Sequence, residues 1–126
     1  MMNMIYIFLG GGLGAISRYG LASGVQALAE NTRLQRFPTG ILACNLLGCF
    51  LIGILFGWIA SKNGSQPTWI QPLFVTGFLG AFTTFSTFAL DTQKLFETSP
   101  TQAIANITLS VVGSLITLWL GFKCAP

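Results

Sequence analysis

Long stretches without charge constrain this chain more than any other feature of it. Phe37–Ser61 is a run of 25 residues with no Asp, Glu, Lys or Arg, and Thr98–Phe122 is another of 25. Asn63–Gln93, 31 residues, holds no charge before Asp91. Met1–Ser17 is a fourth run of 17; after Arg18 the chain stays uncharged until Glu30. A helix needs about 20 apolar residues to cross about 30 Å of hydrocarbon. The spacing predicts four spans, at about 4–27, 38–60, 69–94 and 100–123, in a single membrane domain over residues 1–126. The N-terminal stretch is expected to remain as a span, because it lacks a basic leader and runs too far for a cleaved signal.

Composition agrees. The chain is 52% hydrophobic and 7% charged, against about 25% charged in an ordinary soluble domain. Nine charges cannot cover a soluble fold of 126 residues. A soluble globular domain, a disordered chain and a disulfide scaffold are therefore excluded. There is no His, and no carboxylate lies deep within a span, so no nucleophile–base pair is available and no enzyme is expected. The net charge of +3 is scattered and forms no basic stripe, which argues against nucleic acid as a partner. Cys44, Cys49 and Cys124 form no CxxC motif and read as small packing residues.

Four spans place both termini on one side. Lys62 and Lys123 then share one face, while Arg33, Arg36 and Lys94 share the other, with Arg18 near the end of span one. That basic asymmetry is weak, and orientation follows basic residues.

Each span carries residues that an inert helix in lipid would not need. Span one holds Gly10 and Gly14, a pair spaced for close helix approach, and Arg18, which is costly at that depth unless it faces protein or water. Its glycines are no dinucleotide fingerprint, since no strand precedes them. In span two Pro38 suits the first turn of a helix. Asn45 sits about two turns in, as interhelical glue or as the lining of a polar path, and Gly53 and Gly57 form a second small pair. Span three reads Thr76-Gly77-Phe78-Leu79-Gly80-Ala81-Phe82-Thr83-Thr84-Phe85-Ser86-Thr87-Phe88. So many glycines and hydroxyls predict a helix that breaks near its middle, with side chains satisfying the freed backbone groups. Freed carbonyls at that depth suit a cation. Phe85 and Phe88 lie one turn apart, each after a hydroxyl residue, and are assigned to a pore ahead of packing. In span four Asn106, Ser110, Ser114 and Thr117 fall on one face, as a polar track would.

These pieces describe a channel or carrier for a small ion. Together they resemble the Fluc (CrcB) family of fluoride channels over almost the whole chain. The resemblance rests on Gly11-Gly12-Leu13-Gly14-Ala15-Ile16-Ser17-Arg18-Tyr19, on Asn45-Leu46-Leu47-Gly48, on the span-three string and on Gly113-Ser114-Leu115. It implies an all-α, antiparallel, dual-topology homodimer in the bacterial plasma or inner membrane, exporting fluoride passively through two pores. It also implies a structural sodium at the dimer centre, held by backbone carbonyls of Gly80 and Thr83. The fluoride pathway would comprise Asn45, Phe85, Phe88, Ser110 and Ser114, with Arg18 near the vestibule. Departures from the family pattern are Ile41, where Thr is common, Leu118, where a hydroxyl is frequent, and Asp91 in place of Glu.

Two other classes compete. A proton-coupled small multidrug-resistance exporter is also a dimer of four-span subunits, but would be expected to carry a deep carboxylate. A membrane assembly subunit without transport activity would have little use for Asn45 and a line of hydroxyls.

Overall fold

A computed structural model describes all residues, Met1–Pro126. It is helical throughout. Helix α1 covers Met2–Ala29 and α2 covers Thr39–Ser61. A wider-wound segment, π1, spans Gln71–Leu79 and runs into the single turn α3, Gly80–Phe82. After two extended residues come α4, Phe85–Thr98, and α5, Pro100–Cys124.

Three stretches are long and apolar enough to cross a membrane: Thr39–Ser61, Gln71–Thr98 and Pro100–Cys124. Helix α1 has the length, at 28 residues, but its glycines and Arg18 dilute its apolarity. The third stretch runs four residues beyond the expected 94. Asp91, Lys94 and Glu97 end the apolar run without ending the helix, because Lys and Glu are good helix formers and one Asp costs only a fraction of a kcal/mol. Pro38 lies just ahead of the first turn of α2 rather than within it.

The α1–α2 corner is tied by one side chain. Gln26 Nε2 donates to the carbonyls of Gln35 and Phe37, both at 3.2 Å. Its Oε1 accepts from Thr39 Oγ1 at 3.1 Å and from the Gly40 N–H at 3.3 Å. Pro38 offers no capping side chain, so Gln26 from the preceding helix takes one of the open amides of α2, that of Gly40, instead.

Packing is inverted relative to a soluble domain. Only 22 of 126 residues are buried, and glycine, serine, threonine and asparagine are prominent among them. Leucine, isoleucine and phenylalanine largely face outward. The principal helix pairings are α2 with α5 and α1 with π1. Both depend on absent side chains: a Cβ at Gly10 or Gly14 would strike the Leu73 or Phe78 carbonyl, and one at Gly53 or Gly121 would strike the Leu118 or Phe50 carbonyl. Lipid is as apolar as leucine, so helices in a membrane associate through such close backbone contact rather than through hydrophobic burial.

Candidate functional site

The site is built around the two residues that are not helical. Thr83 (φ −90°, ψ 156°) and Thr84 (φ −152°, ψ 119°) are extended, between α3 and α4. Asn45 of α2 bridges this point. Its Oδ1 accepts from the Thr84 N–H at 2.8 Å, and its Nδ2 donates to the Thr84 carbonyl at 3.1 Å. Thr84 Oγ1 in turn accepts from the Thr87 N–H at 3.2 Å and caps α4. Gly48, one turn after Asn45, admits the Thr83 methyl group where a Cβ would collide with it.

These bonds determine which carbonyls are released. In an unbroken helix the Thr84 N–H would serve the Gly80 carbonyl, and the Thr87 N–H would serve that of Thr83. Both amides are spent on side chains, Asn45 and Thr84 respectively. Gly80 and Thr83 thus lose their helical partners and retain carbonyl oxygens, the donor type that hard cations take. The same two residues border a small cavity of about 150 Å³. No cluster of His, Cys, Asp or Glu offers a metal site of another kind.

A larger cavity of about 360 Å³ opens beside the break. Asn45, Phe85, Phe88, Ser110 and Ser114 all line it, so residues from α2, α4 and α5 meet there. The Phe85 and Phe88 rings are 5.4 Å apart and tilted by 52°. Phe88 is 9% exposed, whereas Phe85 is 78% exposed on the surface of the chain. Helix α4 begins at Phe85, beside this cavity, and this end of a helix favours negative charge.

A wide opening of about 700 Å³ lies between the α1–α2 corner and α4. Its charged residues are Glu30, Arg36, Asp91 and Lys94. Thr87 lines this opening and Thr84 lines the inner cavity; their hydroxyls are 3.1 Å apart. Arg18 is half-buried and is not among the residues lining the opening; its carbonyl accepts from Cys44 Sγ at 3.7 Å.

The polar line of α5 divides. Ser110 and Ser114 reach the cavity. Asn106 turns behind it to Thr92, and Thr117 Oγ1 donates to the Ser114 carbonyl at 3.2 Å. Gln26 and Thr92 were not singled out by the sequence. A signal was present for Gln26, an amide on the last turn of one helix facing the uncapped start of the next, but nothing local marked Thr92.

Residues 5–122 match the family described as CrcB-like protein, Camphor Resistance (CrcB). The chain belongs to the CrcB family. Among its CrcB relatives is a fluoride-specific ion channel FluC of Francisella philomiragia, 40% identical over 123 residues, covering 94% of this chain and 91% of the relative. A protein of the same name from Hahella chejuensis is 41% identical over 120 residues, with 94% and 91% covered. A third, from Coxiella burnetii, is 38% identical over 122 residues, with 95% and 94% covered.

Substitution of Asn45 tests the bridge. Asn45→Leu leaves both Thr84 backbone groups without their partners and should destabilise the protein by roughly 2–4 kcal/mol. Thr84→Val keeps those two bonds, removes the cap together with the hydroxyl contacts to Ser86 and Thr87, and should cost about 1 kcal/mol. Thermal unfolding in detergent should rank Asn45→Leu well below Thr84→Val. Equal melting temperatures would mean that the bridge does not hold the break.

Proposed function

We propose that this CrcB protein is a passive, non-enzymatic fluoride channel of the bacterial inner membrane. The observation that carries the reading is the convergence of Asn45, Phe85, Phe88, Ser110 and Ser114 on one cavity, in a chain about 40% identical to fluoride-specific channels.

Fluoride is small and strongly hydrated, so a conducting path must replace its water. Ser110 and Ser114 hydroxyls donate, as does the second Nδ2 hydrogen of Asn45. The positive edges of the Phe85 and Phe88 rings are weaker partners. The open end of α4 adds a partial positive charge. Weak partners in series let an ion enter and leave. Ions arrive through the opening beside Arg36 and Lys94, with Arg18 adding positive charge near the vestibule, and pass the Thr84–Thr87 hydroxyl pair. A proton-coupled exporter is not favoured, because no carboxylate lines the inner cavity.

In this reading the chain crosses the bilayer four times, with α1 as the first span and π1 to α4 as a third span broken at Thr83–Thr84. Helix α1 lies against π1 along the Gly10 and Gly14 face, and 28 residues reach about 42 Å. Two copies assemble antiparallel. The weak basic asymmetry and the outward-facing Phe85 ring support a second subunit completing each of two pores. The Gly80 and Thr83 carbonyls of both copies would hold a structural sodium at the centre, supplying a fixed positive charge in low dielectric.

Ring chemistry separates a pore from packing. Phe85→Ile and Phe88→Ile keep the cavity apolar and remove the ring edges. Each should leave the dimer intact on size exclusion and lower fluoride efflux from liposomes at least tenfold. Normal efflux in both variants would return these residues to packing.

Sodium and assembly should fail together. Exhaustive replacement of sodium by N-methylglucamine should abolish fluoride efflux and, in detergent, shift the dimer towards monomer. Full flux from an intact dimer after prolonged sodium removal would contradict the carbonyl assignment.

A further inference from the structure

Asn106 is 1% exposed and lines neither the opening nor the inner cavity. A buried amide is costly unless its donor and acceptor are both used, and here both are. Asn106 Nδ2 donates to Thr92 Oγ1 at 2.9 Å. Thr92 Oγ1 donates to the Phe88 carbonyl at 2.8 Å. Ser110 Oγ donates to Asn106 Oδ1 at 3.5 Å. The donations run one way, from Ser110 through Asn106 and Thr92 to Phe88. Both ends of this chain line the inner cavity, and the two middle residues stand behind it.

The direction is set at Thr92. A hydroxyl has one proton, and that of Thr92 rests on the Phe88 carbonyl. Its oxygen can therefore only accept from Asn106, which turns the amide nitrogen towards α4 and the amide oxygen towards Ser110. The last link, at 3.5 Å, is at the long limit of a hydrogen bond and is correspondingly weak.

We propose that Asn106, held by Thr92, is a positioning residue that sets the Ser110 hydroxyl for exchange. With no anion nearby, the Ser110 proton rests on Asn106 Oδ1. An arriving anion has only that weak bond to displace, and the hydroxyl turns to donate to it; on departure the proton returns to Asn106. Ser110 is thereby a donor that engages and releases rather than a fixed one. Were the amide reversed, its NH₂ would face Ser110 and commit that proton permanently to the cavity, holding an anion too firmly. This assignment rests on the fluoride-channel reading above.

The test is a mutant cycle read by fluoride efflux from liposomes, beside size-exclusion profiles. Thr92→Val is nearly isosteric and removes the partner that fixes the amide; Asn106→Leu removes the resting acceptor. Each should lower flux about fivefold, the scale of one hydrogen bond, with the dimer intact. Thr92→Ser, which keeps the hydroxyl, should retain wild-type flux. In a Ser110→Ala background neither Thr92→Val nor Asn106→Leu should lower flux further, because their effect passes through Ser110. Losses that multiply in that background, or wild-type flux in Thr92→Val, would overturn the assignment. Should Asn106→Leu not assemble, the Thr92→Val and Thr92→Ser pair decides alone. Wild-type efflux in the same vesicles separates the two possible failures. Its absence defeats the channel reading, whereas normal wild-type efflux with multiplying losses defeats only the role of Asn106.

Discussion

The paired hydrogen bonds between Asn45 and the Thr84 backbone are the contact on which the rest of the site depends. A non-helical peptide among apolar helices is tolerable only when its N–H and C=O are satisfied by protein. One amide from α2 supplies both partners at 2.8 and 3.1 Å. Three consequences follow. The break can exist at all, α4 starts afresh with its positive end beside a cavity, and the Gly80 and Thr83 carbonyls lose the amides that would have occupied them. Anion-friendly and cation-friendly features thus arise a few residues apart from one interruption.

That interruption needs α2 close to it, and closeness here comes from what is missing. Gly48 leaves room for the Thr83 methyl, and the glycines of α1, α2 and α5 allow helix backbones to touch. The bulky apolar side chains displaced from the interior then cover the outside, where lipid receives them. The Phe85 ring, 78% exposed on the single chain beside a nearly buried Phe88, belongs to that outward set while also bordering the cavity.

Much of this was legible in the sequence, for physical reasons. Charge-free runs report apolar helices directly, and glycines at four-residue spacing report close packing, which Gly10, Gly14 and Gly53 display. Ser110 and Ser114 could be placed on one face by helical period alone. What the sequence withheld is who meets whom. Asn45 read as either glue or pore lining; it bonds the break and borders the cavity, and only the pairing of α2 with Thr84 reveals the first. Arg18 stands out in the sequence as a charge deep within a span, yet Arg36 from the corner loop lines the opening, because Gln26 folds that loop back by bonds to Gln35 and Phe37. Thr92 carries no periodic or compositional mark and gains meaning only opposite Asn106.

Ion selectivity in a membrane holding nothing else decides whether the protein is a fluoride channel. Purified protein in liposomes loaded equally with potassium fluoride and potassium chloride, and opened to potassium by valinomycin, gives the direct measurement by ion-selective electrode. Rapid release of fluoride with chloride retained is the predicted result. Equal release of both anions, or retention of both by correctly assembled protein, would contradict it.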